Sequence, residues 1–349
     1  MIFTDKEVND QFYKDGYCKI SLLDEEEVAL LKEFAYQNLD LAELKNPDFG
    51  IYISVAESLD KRHKIRDYIQ EIAVPKLDKH LVNHRINDGS FLIKVPDGTT
   101  YTMPHQDWTF VDDKTDDASA NVWISLHDLD ENQGTLGFIK GSHRFLNFPI
   151  GTPKPHVQTP IMGKEKAIFE HLTFVPVKAG DALIFNNKLI HAALPNSGDF
   201  IRIAAGIGIT PKTSDLFHYF LNPQNQSELL KLKASEEFFI NYNSQELLEC
   251  FEKGQIPNYT SIVDTIPDYA NEYPNEEEII RSCLNFGNMK NGYQLDLQKH
   301  FSKNQTPRSA PITKKFDSLE SSEKRTFYKK YSLPNIYKEI SGRLYKILK

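Results

Sequence analysis

Cysteine is scarce in this chain: three of 349 residues, Cys18, Cys250 and Cys283. Far apart and odd in number, they exclude a disulfide framework and a cysteine-built zinc site, and a reducing cytoplasm is the expected location. Long apolar runs are missing as well, and none approaches the roughly 20 residues of a membrane-spanning helix. The opening MIFTDKEVNDQF is acidic, without the basic start and apolar centre of a secretory leader. No nucleotide-binding loop, internal repeat or low-complexity tract stands out. Nor is the body basic. The net charge is −8, yet residues 301–349 hold 12 Lys and Arg against 4 Asp and Glu. That leaves the first 300 residues strongly acidic, which argues against nucleic acid as the main ligand.

What is present suits a soluble globular protein: 40% hydrophobic and 26% charged residues over a length that allows one large domain with an appendage. The first residues carry helix signals. Thr4 with Glu7 and Asp24 with Glu27 are capping-box candidates, and LDKRHKIRDYIQEIA places Ile65, Tyr68, Ile69 and Ile72 on one face. GYCKI between the first two helices fits an edge strand. From Ser90 to Thr210 the pattern becomes short β-forming runs broken by Gly, Asn and Pro: FLIKV, NVWISLHDL, GTLGFI, FVPV, ALIF, LIHAAL and FIRIAAGIGI. Helices have no room between them, so the sheets are expected to be antiparallel. The predicted fold is mainly β with flanking helices, a helix-buttressed jelly roll over residues 1–211. After Pro211 the strand signal fades, and 212–349 is expected to be an irregular, largely helical appendage with a basic tail.

The chemistry gathers around MPHQDW. His105 and Asp107 are two apart, so in an extended segment they project to one side. Either this is a strand edge with scattered polar residues, or it is part of a metal clamp. Two histidines and a carboxylate would hold a first-row metal and leave three positions open. His191, in the apolar run LIHAAL, is the candidate third ligand, although a hydrogen-bonded core histidine would look the same. If PNSG turns at Asn196–Ser197, His191 pairs across a hairpin with Arg202, whose guanidinium could then grip a carboxylate beside the metal. Arg202 could equally be a structural ion-pair partner. Along IRIAAGIGI, Arg202 shares its face with Ala204, Gly206 and Gly208, as a strand lining a ligand space would. In NVWISLHDL, Trp123, Ser125 and His127 would face that space while Val122, Ile124 and Leu126 pack under helices. Trp123 also fits a plain core position. Lys94 points inward or sits exposed at an edge, and the GSHR block, with His143 and Arg144, fits a loop-fixing role.

Taken together, FYKDGYCKI, IKVPDGTTYTMPHQDW, VWISLHDLDENQGTLGFIKGSHR and AGDALIFNNKLIHAALPNSGDFIRI resemble the phytanoyl-CoA dioxygenase family of iron(II)- and 2-oxoglutarate-dependent oxygenases. The resemblance runs from about Phe12 to Thr210. It implies a double-stranded β-helix core with Fe(2+) bound by His105, Asp107 and His191. It further implies 2-oxoglutarate as cosubstrate, its far carboxylate on Arg202 and an aromatic contact from Trp123, with O2 as oxidant. Halogenating relatives carry a small residue in place of the carboxylate, so Asp107 favours hydroxylation or a related oxidation. The expected substrate is a small metabolite of a biosynthetic pathway, free or carrier-tethered. Two rival classes remain: a cupin-like isomerase or hydrolase that does not use 2-oxoglutarate, and a non-catalytic jelly-roll binding module. NIYKEISGRLYKILK is a candidate amphipathic helix, which could dock on the acidic body, recruit an acidic partner or lie on an anionic membrane.

Overall fold

The structure, a computed structural model, describes residues 2–47, 49–112 and 118–302. Three helices come first. Helix α1 (Lys6–Asp15) starts where the Asp5 carboxylate accepts from the amides of Glu7 and Val8, and stops at Gly16, whose φ of 88° suits a residue without a β-carbon. The cap is thus Asp5 rather than the expected Thr4, because the Thr4 hydroxyl donates to the carbonyls of Lys79 and His80. Helix α2 (Glu25–Asn38) opens with the reciprocal Asp24–Glu27 box. Helix α3 (Leu59–Leu77) buries Ile65 and Ile69 fully, and Tyr68 and Ile72 pack against the same core.

The strands of the core run in the order β1 (Tyr17–Ser21), β2 (Tyr52–Ile53), β3 (His84–Ile86), β4 (Ser90–Lys94), β5 (Thr102–His105) and β6 (Ala120–Ser125). They continue as β7 (Leu136–Phe138), β8 (Thr173–Phe174), β9 (Asp181–Asn186), β10 (His191–Ala193) and β11 (Arg202–Pro211). Two short helices, α4 (Ser142–Phe145) and α5 (Glu165–Phe169), sit between β7 and β8. The major sheet has the order β1-β9-β6-β11-β4-β2, with β3 paired to the far end of β11, and the minor sheet is β5-β10-β7-β8. Their strand pairings are antiparallel.

Alternation along β6 explains the layering. Val122, Ile124 and Leu126 join the core formed with α1, α2 and α3. Trp123 turns the other way, into a cluster with Leu183 and Ala204 of the major sheet and Leu136, Phe138 and Ala193 of the minor sheet. Two antiparallel sheets sharing that interior make the double-stranded β-helix, which does not close into a barrel.

Residues 212–294 hold the helices expected there, α6 (Glu236–Asn241), α7 (Ser244–Glu252) and α8 (Glu276–Asn285). They also hold a three-stranded antiparallel sheet that the sequence reading lacked: β12 (Phe217–Leu221), β13 (Glu228–Ala234) and β14 (Thr260–Pro267). Every residue of β12 is buried, so FHYFL shows no polar alternation to mark it as a strand. These strands and α6 share a second core around Tyr219, Phe220, Leu232 and Phe238. Contacts group residues 1–294 into one compact unit and 295–349 into another. The second contributes helix α9 (Leu297–Ser302) among the described residues, and NIYKEISGRLYKILK lies outside them. No described helix is long and apolar enough to cross a membrane.

Candidate metal centre

Strands β5 and β10 are antiparallel neighbours, and their register sets His105 directly opposite His191. The two imidazole centroids are 4.0 Å apart. Asp107 follows two residues after β5 ends at His105, and its amide donates to the Asn187 carbonyl at 2.8 Å. Its carboxylate thereby reaches both rings: Oδ1 is 3.6 Å from His105 Nε2 and Oδ2 is 3.5 Å from His191 Nε2. One ligand atom from each of the three lies within 4.8 Å of the others, the one such group among the described residues. Atoms bound at about 2.1 Å on adjacent corners of an octahedron are about 3 Å apart, so these atoms would draw together around a metal.

The tautomers are set by the backbone. His105 Nδ1 is 2.8 Å from the Met103 carbonyl oxygen, and His191 Nδ1 is 3.0 Å from that of Leu189. A carbonyl oxygen only accepts, so each Nδ1–H donates, and in the neutral ring Nε2 is then the atom left with a lone pair on the Asp107 side. Burial, reinforced by the His191 ring and Lys154, pushes the His105 pKa well below the ordinary imidazole range. The neutral ring is the form that binds a metal. Asn121 Nδ2 donates to Asp107 Oδ2 at 2.6 Å and holds the carboxylate in place. Sequence reasoning missed Asn121, although it stands two residues before Trp123 and thus on the same face of β6.

The hairpin expected to pair His191 with Arg202 does not form. His191 lies opposite His105 and Phe138 in the minor sheet, whereas Arg202 lies opposite Lys94 in the major sheet. Asn196 is the reason: it is buried, and its Nδ2 donates to the carbonyls of Lys94 and Phe200. The chain after β10 therefore crosses between sheets instead of turning back.

Arg202 is fully buried. Its Nη1 donates to the Gly134 carbonyl at 2.6 Å, while Nε and Nη2 have no partner among the described residues. Burial pushes its pKa down to about 9. The guanidinium carbon sits 5.5 Å from the Trp123 ring centroid, and the Trp123 indole N–H is likewise buried and unpartnered. A desolvated cation and three orphaned donors form a cradle for an anionic, acceptor-rich group. Gly206 and Gly208, expected to line open space, do not: β-carbons there would meet Leu92 at 2.6 Å and Asp88 at 3.0 Å. Lys94 points inward, fully buried, with Nζ donating to the Gly50 carbonyl and the Thr102 hydroxyl at 2.7 and 3.0 Å. His143 and Arg144 fix the loop, through the Tyr13 carbonyl and the Phe286 ring respectively.

The family profile described as phytanoyl-CoA dioxygenase matches residues 12–204, more than half of the chain, and that span contains all three clustered residues and Arg202. The chain belongs to the phytanoyl-CoA dioxygenase family. Within the family it is 32% identical over 161 residues to phytanoyl-CoA dioxygenase domain-containing protein 1 of Danio rerio, covering 44% of this chain and 53% of that protein. Phytanoyl-CoA dioxygenase 1 of Oryza sativa is 30% identical over 128 residues, which cover 34% and 42% of the two chains. This chain thus spans about half the length, or less, of these curated relatives. Among solved structures, the epimerase SnoN in complex with Fe3+, alpha ketoglutarate and nogalamycin RO is 21% identical, with 60% of this chain and 85% of that chain covered and a TM-score of 0.43. HygX from Streptomyces hygroscopicus, with nickel, 2-oxoglutarate and hygromycin B bound, is 18% identical over 60% and 88% of the chains, with a TM-score of 0.40.

Proposed function

We propose that this family member is an iron(II)- and 2-oxoglutarate-dependent oxygenase that uses O2 to hydroxylate, or otherwise oxidise, an unactivated C–H bond of a small metabolite in a biosynthetic pathway. The observation that carries the reading is the convergence of His105, Asp107 and His191, with the two Nε2 atoms 3.6 and 3.5 Å from the carboxylate oxygens. That donor set suits Fe(2+) and leaves three coordination positions for cosubstrate and oxygen. Iron, when bound, would supply oxygen activation coupled to oxidative decarboxylation of 2-oxoglutarate to succinate.

The chain's own part is positional. Met103 and Leu189 lock the imidazole tautomers, and Asn121 orients Asp107. Nε and Nη2 of Arg202 offer two donors to the far carboxylate of 2-oxoglutarate, and the Trp123 indole N–H offers a third. Phe138 and Phe185 wall His191 at ring distances of 6.4 and 4.7 Å and exclude water behind it. Asp107 fills the place that halide chemistry would need vacant, which supports hydroxylation. An isomerase or hydrolase without 2-oxoglutarate has no use for the orphaned donors of Arg202, and a binding module has none for the locked tautomers. In this reading residues 1–211 form the oxygenase domain in the cytoplasm. Residues 212–349 act in substrate choice, their basic tail meeting an acidic partner such as a carrier.

Succinate release with iron, ascorbate, 2-oxoglutarate and a metabolite panel tests the proposal. His105→Ala, Asp107→Ala and His191→Ala should each abolish substrate-dependent succinate formation with the fold intact by circular dichroism. Normal turnover in His191→Ala would end the assignment.

A further inference from the structure

One charged group beside the metal centre has no part in the chemistry above. Phe49 sets its ring edge against His105, with centroids 4.8 Å apart at 75°. The Lys154 ammonium lies 6.0 Å from the centroid of the same Phe49 ring. Lys154 therefore stands within the sum of those two distances of the His105 imidazole. Among the described residues it makes no hydrogen bond and no close ion pair, and Asp107 and Glu165 act on it only at longer range. Lys154 is exposed to solvent, and its pKa is nonetheless lowered from the ordinary lysine value by desolvation of the charged form. His105 and Asp107 are themselves partly open, with side chains 12% and 26% exposed. Metal binding would engage Asp107 and leave the ammonium with Glu165 as its remaining acidic neighbour.

We propose that Lys154 is a substrate-recognition residue of this site and that the substrate is an organic acid whose carboxylate or phosphate it receives. This rests on the oxygenase reading. Phe49 supplies the apolar wall between the anchored acid and the carbon presented to the metal, so the substrate is small, with a short aliphatic span between the two. The cation is not used for 2-oxoglutarate, whose far carboxylate goes to Arg202.

The test is calorimetric titration of the full chain loaded with Mn(II), a redox-silent stand-in for iron, and saturating 2-oxoglutarate. The probes are straight-chain alkanoates, alkyl phosphates and alkanamides of matched length. Acids should bind and amides should not; the stronger series distinguishes carboxylate from phosphate. Lys154→Gln should weaken the best acid by about tenfold or more, and Lys154→Arg should restore most of that loss. Amides binding as well as acids, no acid binding at all, or Lys154→Gln binding the best acid as tightly as the wild type would each overturn the proposal. Failure to load Mn(II) and 2-oxoglutarate strikes the oxygenase reading itself; normal loading with charge-blind binding strikes only the role of Lys154.

Discussion

Arg202→Met separates a ligand-binding role from a structural one, because the two make opposite demands. The substitution keeps an unbranched side chain of similar reach and removes the charge and all donors. For the cosubstrate the effect is one-sided. Two charge-assisted hydrogen bonds, from Nε and Nη2, are each worth about 1.5–3 kcal/mol. Losing both should weaken 2-oxoglutarate binding by about 3–6 kcal/mol, or roughly two to four orders of magnitude. For the unliganded protein the contributions oppose one another. The Gly134 carbonyl loses its donor, at about 1–3 kcal/mol, and the Trp123 contact is lost, at about 0.5–2 kcal/mol. Against that, a buried cation with no carboxylate in contact is removed, and the effective penalty for such an ion is several kcal/mol. The unliganded variant should therefore sit within about 2 kcal/mol of the wild type, a Tm shift of only a few degrees in either direction. Differential scanning fluorimetry with Mn(II) and a 2-oxoglutarate series reads both quantities. The wild type gains about 2.7 kcal/mol at a hundredfold excess over its Kd, and the variant gains at most about 0.4 kcal/mol at that concentration. A variant that is strongly destabilised yet still stabilised by 2-oxoglutarate like the wild type would show that Arg202 serves the fold and not the ligand.

Two further outcomes follow from neighbouring groups. Asn121→Ala frees the Asp107 carboxylate from its 2.6 Å donor and should lower Mn(II) affinity by about 10–100-fold, measured by competition with a fluorescent chelator; an unchanged affinity would remove Asn121 from the site. Burial raises the pKa of Asp97, but hydrogen bonds from Thr100, Thr99 and Asn46 outweigh it and hold the carboxyl well below the ordinary range. A depressed folded pKa gives stability that is present above the unfolded value near 3.9 and fades as pH falls through the folded one. Urea titrations of Asp97→Asn should therefore lose less stability than the wild type between about pH 5 and pH 3, and parallel curves would count against that account.

The clustering of His105, Asp107 and His191 was legible because residue type and spacing carry it. An imidazole and a carboxylate two apart, with a distant histidine in an apolar strand, needed only strand geometry to be brought together. Arg202 was identified on an incorrect route. PNSG suits a hairpin and a sheet-to-sheet crossing equally well, and what decides is the buried amide of Asn196, whose partners on Lys94 and Phe200 no local pattern reveals. The glycines of β11 misled for a related reason: absent side chains signal a space, but Leu92 and Asp88 from neighbouring segments fill it. In the sheet β12-β13-β14, alternation fails as a signal because β12 is buried throughout while β14 is largely exposed. Lys154 carried no motif at all. Its approach to Phe49 and the edge of Phe49 on His105 connect it to the candidate metal centre.

The two halves of the site differ in how well their polar groups are satisfied, and that difference has a mechanistic sense. On the minor sheet each imidazole spends its Nδ1 proton on a backbone carbonyl two residues earlier, and Asp107 is held by a backbone acceptor and the Asn121 amide. Those bonds are already formed, so under the proposed function a metal would find the ring tautomers and the carboxylate orientation in place. On the major sheet the opposite holds: Arg202 is dehydrated, charged and two donors short. A group in that state destabilises the empty protein and is relieved only by an acceptor brought from outside. Under the proposed function the site is thus ordered where it would hold an ion and unsatisfied where it would receive an anion. Its affinity for a carboxylate would come largely from ending that deficit.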